Sequence, residues 1–261
     1  MIGRNAKRGI CVTPVIAVFD LFLIIHIAAG AIGLVTFWLP VLGRKGSDSH
    51  KRWGRVFARC IMVAGICAIA MSLLSLGWPL ETHPQLTDAT LVRGLFGWMM
   101  LYLAILTVSL VWHGLTAVEL KADHAAHRRW FPVLLQVAVI VAAVNCAVRG
   151  YLIGQPIMIG ISGIGLASAA TNLWFIATPV PWRMQYLIEH FKALVGAGIS
   201  VYTAFFAFGA VRLHPKSAFD PLLWATPCTI GLSIIVWHWW KAQKLKRQMA
   251  ARLRDGVPRG T

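Results

Sequence analysis

Seven long apolar stretches, at about 13–42, 55–79, 91–118, 131–150, 157–178, 191–212 and 222–240, dominate this chain of 261 residues. About 20 apolar residues in a row cross a bilayer as an α-helix. Hydrocarbon also admits only structures that satisfy their own backbone hydrogen bonds. The expected fold is therefore all-α, a polytopic transmembrane bundle of about seven spans. Only 13% of the residues are charged, about half the share in a soluble domain. The separators carry the breakers: Gly43 to Arg52, Pro79 to Pro84, Lys121 to Arg129, Gly154 to Pro156, Pro179 to Pro181 and His214 to Pro221. The expected organisation is a bundle over 1–240 followed by a basic tail over 241–261.

The formal charge of +16 does not point to nucleic acid, because the basic residues sit in short loops and in the tail. Of the 25 Lys and Arg, 18 fall in the first, third and fifth loops and the tail. The positive-inside rule then places the N-terminus outside and the C-terminus in the cytoplasm, against the local preference of Arg4, Lys7 and Arg8. Met1 to Gly9 is basic and leads into an apolar stretch without a clear small-residue cleavage site, which reads as a retained first helix. The tail, KAQKLKRQMAARLR from Lys241, follows the anchor Trp237, Trp239 and Trp240. It is expected to lie on anionic lipid headgroups. The five cysteines form no CxxC pair and read as small buried hydrophobes.

Ionisable residues in hydrocarbon are costly and mark candidate function. His26 falls in the middle of the first span, with Gly30 and Gly33 on the same face. It reads either as a histidine bonded across a helix seam or as a haem ligand or proton relay. Asp20 reads as the only deeply placed carboxylate, with Arg149 or Arg93 as its partner. His50, His113, His190 and His238 are expected near the cytoplasmic side. A bis-histidine haem needs two neutral imidazoles at one depth with small residues beside them. His113 with His190, or either with His50, meets the depth requirement. His83, His124, His127 and His214 fall in loops and read as solvated or interfacial.

His50 belongs to a denser pattern, Lys45-Gly46-x-x-x-His50-x-x-x-Gly54-Arg55. A basic loop explains the charge as a topology signal but leaves the offsets unexplained. Such a loop also suits an anionic headgroup, a quinone or a phosphorylated ligand. Together with His26-x-x-x-Gly30-x-x-Gly33, Met62, Glu189-His190-Phe191, Gly196-Ala197 and Thr203-Ala204-Phe205, it resembles a bacterial family of multi-pass inner-membrane proteins of unknown function. The resemblance covers the first, second and sixth spans. It implies a helical bundle in the inner membrane with marked positions at His26, His50 and His190. The family commonly has a methionine after the histidine of the sixth span, where this chain has Leu194-Val195, which weakens a methionine-ligand arrangement.

No GxxxxGK[ST], HExxH, CxxCH or GxSxG motif occurs. Gly160-x-x-Gly163-x-Gly165 lies inside an apolar span and reads as a packing or kinking feature, not a dinucleotide site. Three functional readings stand. The first is a redox protein with histidine-ligated haem b exchanging electrons with quinone, its ligands drawn from His26, His50, His113 and His190; no metal beyond haem iron is expected. The second is a proton-coupled transporter using Asp20, His26 and Arg149. The third is a structural or assembly subunit of a membrane complex.

Overall fold

The computed structural model describes residues 14–182, 184–209 and 221–254, and every regular element among them is helical. In chain order they are α1 (Pro14–Leu42), α2 (Asp48–Gly77), the single turns α3 (Pro79–Thr82) and α4 (Ala89–Val92), α5 (Met100–Glu119), α6 (Trp130–Leu152), α7 (Pro156–Ala177), α8 (Gln185–Ala204) and α9 (Pro221–Arg254). A π-helical segment, Arg93–Met99, fuses α4 and α5 into one rod; a second, Phe205–Gly209, extends α8. Among the described residues, six rods are long and apolar enough to cross a membrane. The protein is an all-α helical membrane bundle.

Two expected boundaries move. The second and sixth spans begin at Asp48 and Gln185, not at 55 and 191, because polar residues continue the helix beyond its apolar part. That shift brings His50, Glu189 and His190 inside regular helix. The seventh expected stretch is the first part of α9, which continues without a break from 240 into the basic residues. Its 34 residues make a rod about 51 Å long, well beyond the roughly 30 Å of hydrocarbon.

Helix ends are set by local chemistry. Ser47 caps α2 by accepting the His50 N–H at 3.2 Å, and Asp88 caps α4 by accepting those of Thr90 and Leu91 at 2.8 and 3.0 Å. Gly46 and Gly154 take φ of +78° and +66° in the two tight connections.

The rod Ala89–Glu119 is the most enclosed of the six and α1 the least. Around it, polar side chains join the helices in pairs. Tyr102, fully buried, donates to the Ile161 carbonyl at 2.7 Å and accepts the Gly165 N–H at 3.0 Å, tying α5 to α7. Thr107 meets Ser200 at 2.6 Å between α5 and α8. Gln136 donates to Ser109 at 3.0 Å and accepts from Asn172 at 3.1 Å, linking α5, α6 and α7. Where hydrocarbon offers no other partner, such bonds are each worth about 0.6–2 kcal/mol.

Contacts define two ends. At one, Arg128 donates to the carbonyls of Ile176 and Thr178 at 3.1 Å each, and Lys246 lies 5.7 Å over Trp182. At the other, His83 sits between Phe19 and Phe96 at 5.6 and 4.1 Å, and Arg93 donates to the Leu76 carbonyl at 3.1 Å. The described cysteines, Cys60, Cys67, Cys146 and Cys228, are free and at least partly buried, as expected; Cys11 lies outside the described residues.

Candidate functional site

The last carbonyls of a helix have no partner within it, and the Lys45–His50 pattern supplies partners to α1. Gly43 N–H donates to Leu39 at 3.0 Å, Lys45 Nζ donates to Pro40 at 2.8 Å and also to Val41, and His50 Nδ1 donates to Pro40 at 3.1 Å. Gly46, at φ +78°, turns the chain so that Lys45 and His50 face back toward α1. These offsets, which basic topology alone does not explain, thus close the α1–α2 corner. Gly54 has no neighbour within 4 Å of where a Cβ would stand.

Because a carbonyl cannot donate, the bond to Pro40 fixes the hydrogen of His50 on Nδ1. The neutral ring then carries its lone pair on Nε2. His190 repeats the arrangement: its Nδ1 donates to the Gly114 carbonyl at 2.6 Å. The centroids of the His50 and His190 rings lie 6.5 Å apart with 59° between their planes. Of the pairs weighed from sequence, the structure brings this one together. Packing beside it is close, since a Cβ on Gly114 would meet Leu194 and Ala193. Phe191, next along α8, stacks on His238 at 4.3 Å.

His113 takes a different partner. Its Nε2 lies 3.2 Å from Glu189 Oε2, and Lys192 Nζ reaches the same oxygen at 2.5 Å. The side chains of His113 and Glu189 are 3% and 6% exposed, so this is a buried polar cluster in the α5–α8 seam, with Lys192 and Glu189 as its ion pair. Lys192 also donates to Thr171 at 3.1 Å. Two consecutive residues of α5, His113 and Gly114, therefore engage two consecutive residues of α8, Glu189 and His190. Glu189 overturns the expectation that Asp20 is the only deep carboxylate. Its signal was present in the sequence, as an acid three residues before Lys192 on a small-residue helix face.

The remaining expected site residues are dispersed. His26 donates from Nδ1 to the Ala64 carbonyl at 2.8 Å, the seam-bonded arrangement. Asp20 is exposed on α1, and among the described residues no ion pair joins it to Arg149 or Arg93. Arg149 lies 5.2 Å over the Trp98 ring, and Arg93 is held by Leu76. Among the described residues the relay of Asp20, His26 and Arg149 is not assembled: His26 is bonded to Ala64, Arg149 lies over Trp98, and Asp20 is exposed on α1.

Of the two alternatives for the loop histidines, solvated or interfacial, three of these residues set aside the first. His83 and His127 are 8% and 1% exposed, and His124 is partly buried. His127 lies in the 3-10 turn His124–Arg128, with His124 and Phe175 at 5.3 Å each. Burial, then the neighbouring His113 and His124, hold its pKa down to about 4. Burial brings His83 to about 4 as well. Among the described residues, neither ring nitrogen of His124 has a hydrogen-bond partner, nor has Nε2 of His127. His214 lies outside the described residues. Among the described residues, no group of three or more His, Cys, Asp and Glu is arranged to hold a bare metal ion.

Comparison with known protein families, with characterised proteins and with solved structures finds no match to this chain.

Proposed function

We propose that the chain is a redox protein of a bacterial inner membrane, holding haem b at its cytoplasmic end through His50 and His190. One observation carries this reading: two imidazoles 6.5 Å apart, each with Nδ1 donated to a backbone carbonyl. Histidine ligands to metals are oriented in this way, by a hydrogen bond from the distal ring nitrogen. Two metal–nitrogen bonds of about 2 Å and two imidazole half-widths put ring centroids about 6 Å apart. The donor set fits a haem, whose macrocycle supplies the other four ligands and which would provide one-electron chemistry. His50 and His190 would hold the iron, and Pro40 and Gly114 would orient the rings. Quinone is the fitting electron partner for a site among lipid-embedded helices. The 18 Lys and Arg that the sequence assigns to the first, third and fifth loops and the tail support a cytoplasmic placement of the His50 loop and contact with anionic headgroups.

The test is an absorption spectrum of protein purified in detergent after expression with ample haem, air-oxidised and then reduced with dithionite. Sharp reduced α and β bands that survive His26→Ala and His113→Ala, and vanish in His50→Ala and His190→Ala, are expected. A colourless preparation overturns the reading.

A second reading has its own support in the buried cluster of Glu189, His113 and Lys192. Ionisable groups so enclosed in a membrane bundle serve proton relays in transporters. Proton-coupled flux in proteoliposomes, abolished by Glu189→Gln in folded protein, would place this reading above the haem.

A further inference from the structure

An apolar groove runs along the outer wall between α1 and α2, lined by Ile24, Ala28, Ile32, Cys60 and Val63, with one cation, Arg59, at its margin. The groove follows α1 from Ile24 to Ile32, a rise of about 12 Å. Arg59 is exposed, and among the described residues no hydrogen bond or ion pair reaches it. Asp20, the acid on α1, lies toward the other end. The His26–Ala64 bond sets the register of the two helices and leaves Asp20 about 16 Å from the level of Arg59. An unpaired guanidinium inside an apolar wall is costly unless it meets an anion or snorkels to the headgroups.

Arg55 and Arg52 precede Arg59 at helical spacing, so one basic stripe descends from the α1–α2 corner into the groove. Arg55 spends only Nε on the Lys51 carbonyl, at 3.3 Å, and Arg52 lies 5.9 Å over the Trp53 ring. The arrangement is amphiphilic in the order of a lipid: cations at the interface, then a shallow strip of branched and small apolar side chains running inward. A soluble anion would use the guanidinium groups and leave the Ile24–Ile32 wall unmatched.

We infer that the α1–α2 groove binds one anionic phospholipid of the cytoplasmic leaflet, its phosphate on Arg59 and Arg55 and one acyl chain along Ile24 to Ile32. The site rests on the membrane setting and not on the haem, so a colourless protein leaves it standing.

The experiment is native mass spectrometry of the full chain in detergent, titrated separately with phosphatidylglycerol and phosphatidylcholine of identical acyl chains. A one-lipid adduct favouring phosphatidylglycerol is expected. Arg59→Gln should weaken it about fivefold, the effect of removing one interfacial cation, with Arg59→Lys retaining most of the preference. Ala28→Phe fills the groove, leaves the charge intact and should also remove the adduct. Neutralising Lys241, Lys244 and Lys246 together should leave it unchanged. Equal binding of the two lipids overturns the inference, as does loss on tail neutralisation alone. Displacement by glycerol phosphate would assign the stripe to a soluble anion, and a stoichiometric copurifying protein held through Arg59 would assign the groove to a partner helix; either overturns it.

Discussion

Glu189 Oε2 lies 3.2 Å from His113 Nε2 in a seam where both side chains are all but sealed from solvent. Lys192 closes the cluster at 2.5 Å from its half-buried position. Removing one partner of an enclosed ion pair leaves the other charge uncompensated, at about 3 kcal/mol. Glu189→Gln should therefore lower the thermal midpoint in detergent, measured by intrinsic fluorescence, by more than Glu189→Gln combined with Lys192→Gln. Equal losses would show that the charges are not coupled.

His26 has a narrower task. The single bond to the Ala64 carbonyl is worth about 1 kcal/mol. His26→Phe should lower stability by about that much in a denaturant titration and leave any haem bands in place. Loss of those bands in a folded variant would restore His26 as a ligand.

The glycines of α7 separate packing from tolerance. A Cβ on Gly165 would stand 2.5 Å from the hydroxyl and 2.6 Å from the ring of fully buried Tyr102, whereas Gly163 has nothing within 4 Å. Gly165→Ala should cost about 1–3 kcal/mol, and Gly163→Ala should be neutral or slightly stabilising. Thermal midpoints of the two variants decide the matter, and equal effects would remove Tyr102 as the cause.

Acid sensitivity follows from the two buried loop histidines. His83 and His127 titrate at about 4 in the fold, against 6.5 ordinarily. Their contribution is fully present above pH 6.5 and is lost as pH falls toward 4, because the unfolded chain accepts protons that the fold refuses. Each accounts for at most about 3 kcal/mol. The thermal midpoint should fall between pH 7 and pH 4.5, and His83→Gln with His127→Gln should flatten that slope. An unchanged slope would place the acid-sensitive groups elsewhere.

The helical bundle was readable because apolar run length is a one-dimensional signal. The approach of His50 to His190 was open as one of several pairs, since depth can be counted along a sequence but facing cannot. The depth of Glu189 is not legible because it stands at the polar start of a span, where the continuation of helix beyond the apolar residues is not visible. The Asp20–Arg149 pairing failed for a related reason: shared depth said nothing about Trp98 and Leu76, which hold the two candidate arginines. Loop position suggests a solvated or interfacial place for His83 and His127, but it does not fix exposure, and aromatic rings cover both.

α9 has no turn between its contact with α8 and its basic end. Gly231 abuts Ile199, His238 stacks on Phe191, and the same helix carries Lys241, Lys244 and Lys246 outward. The basic end of α9 is therefore a lever, not a tether. A pull or tilt applied at those lysines turns a rigid arm whose inner bearing is Phe191, the residue beside His190.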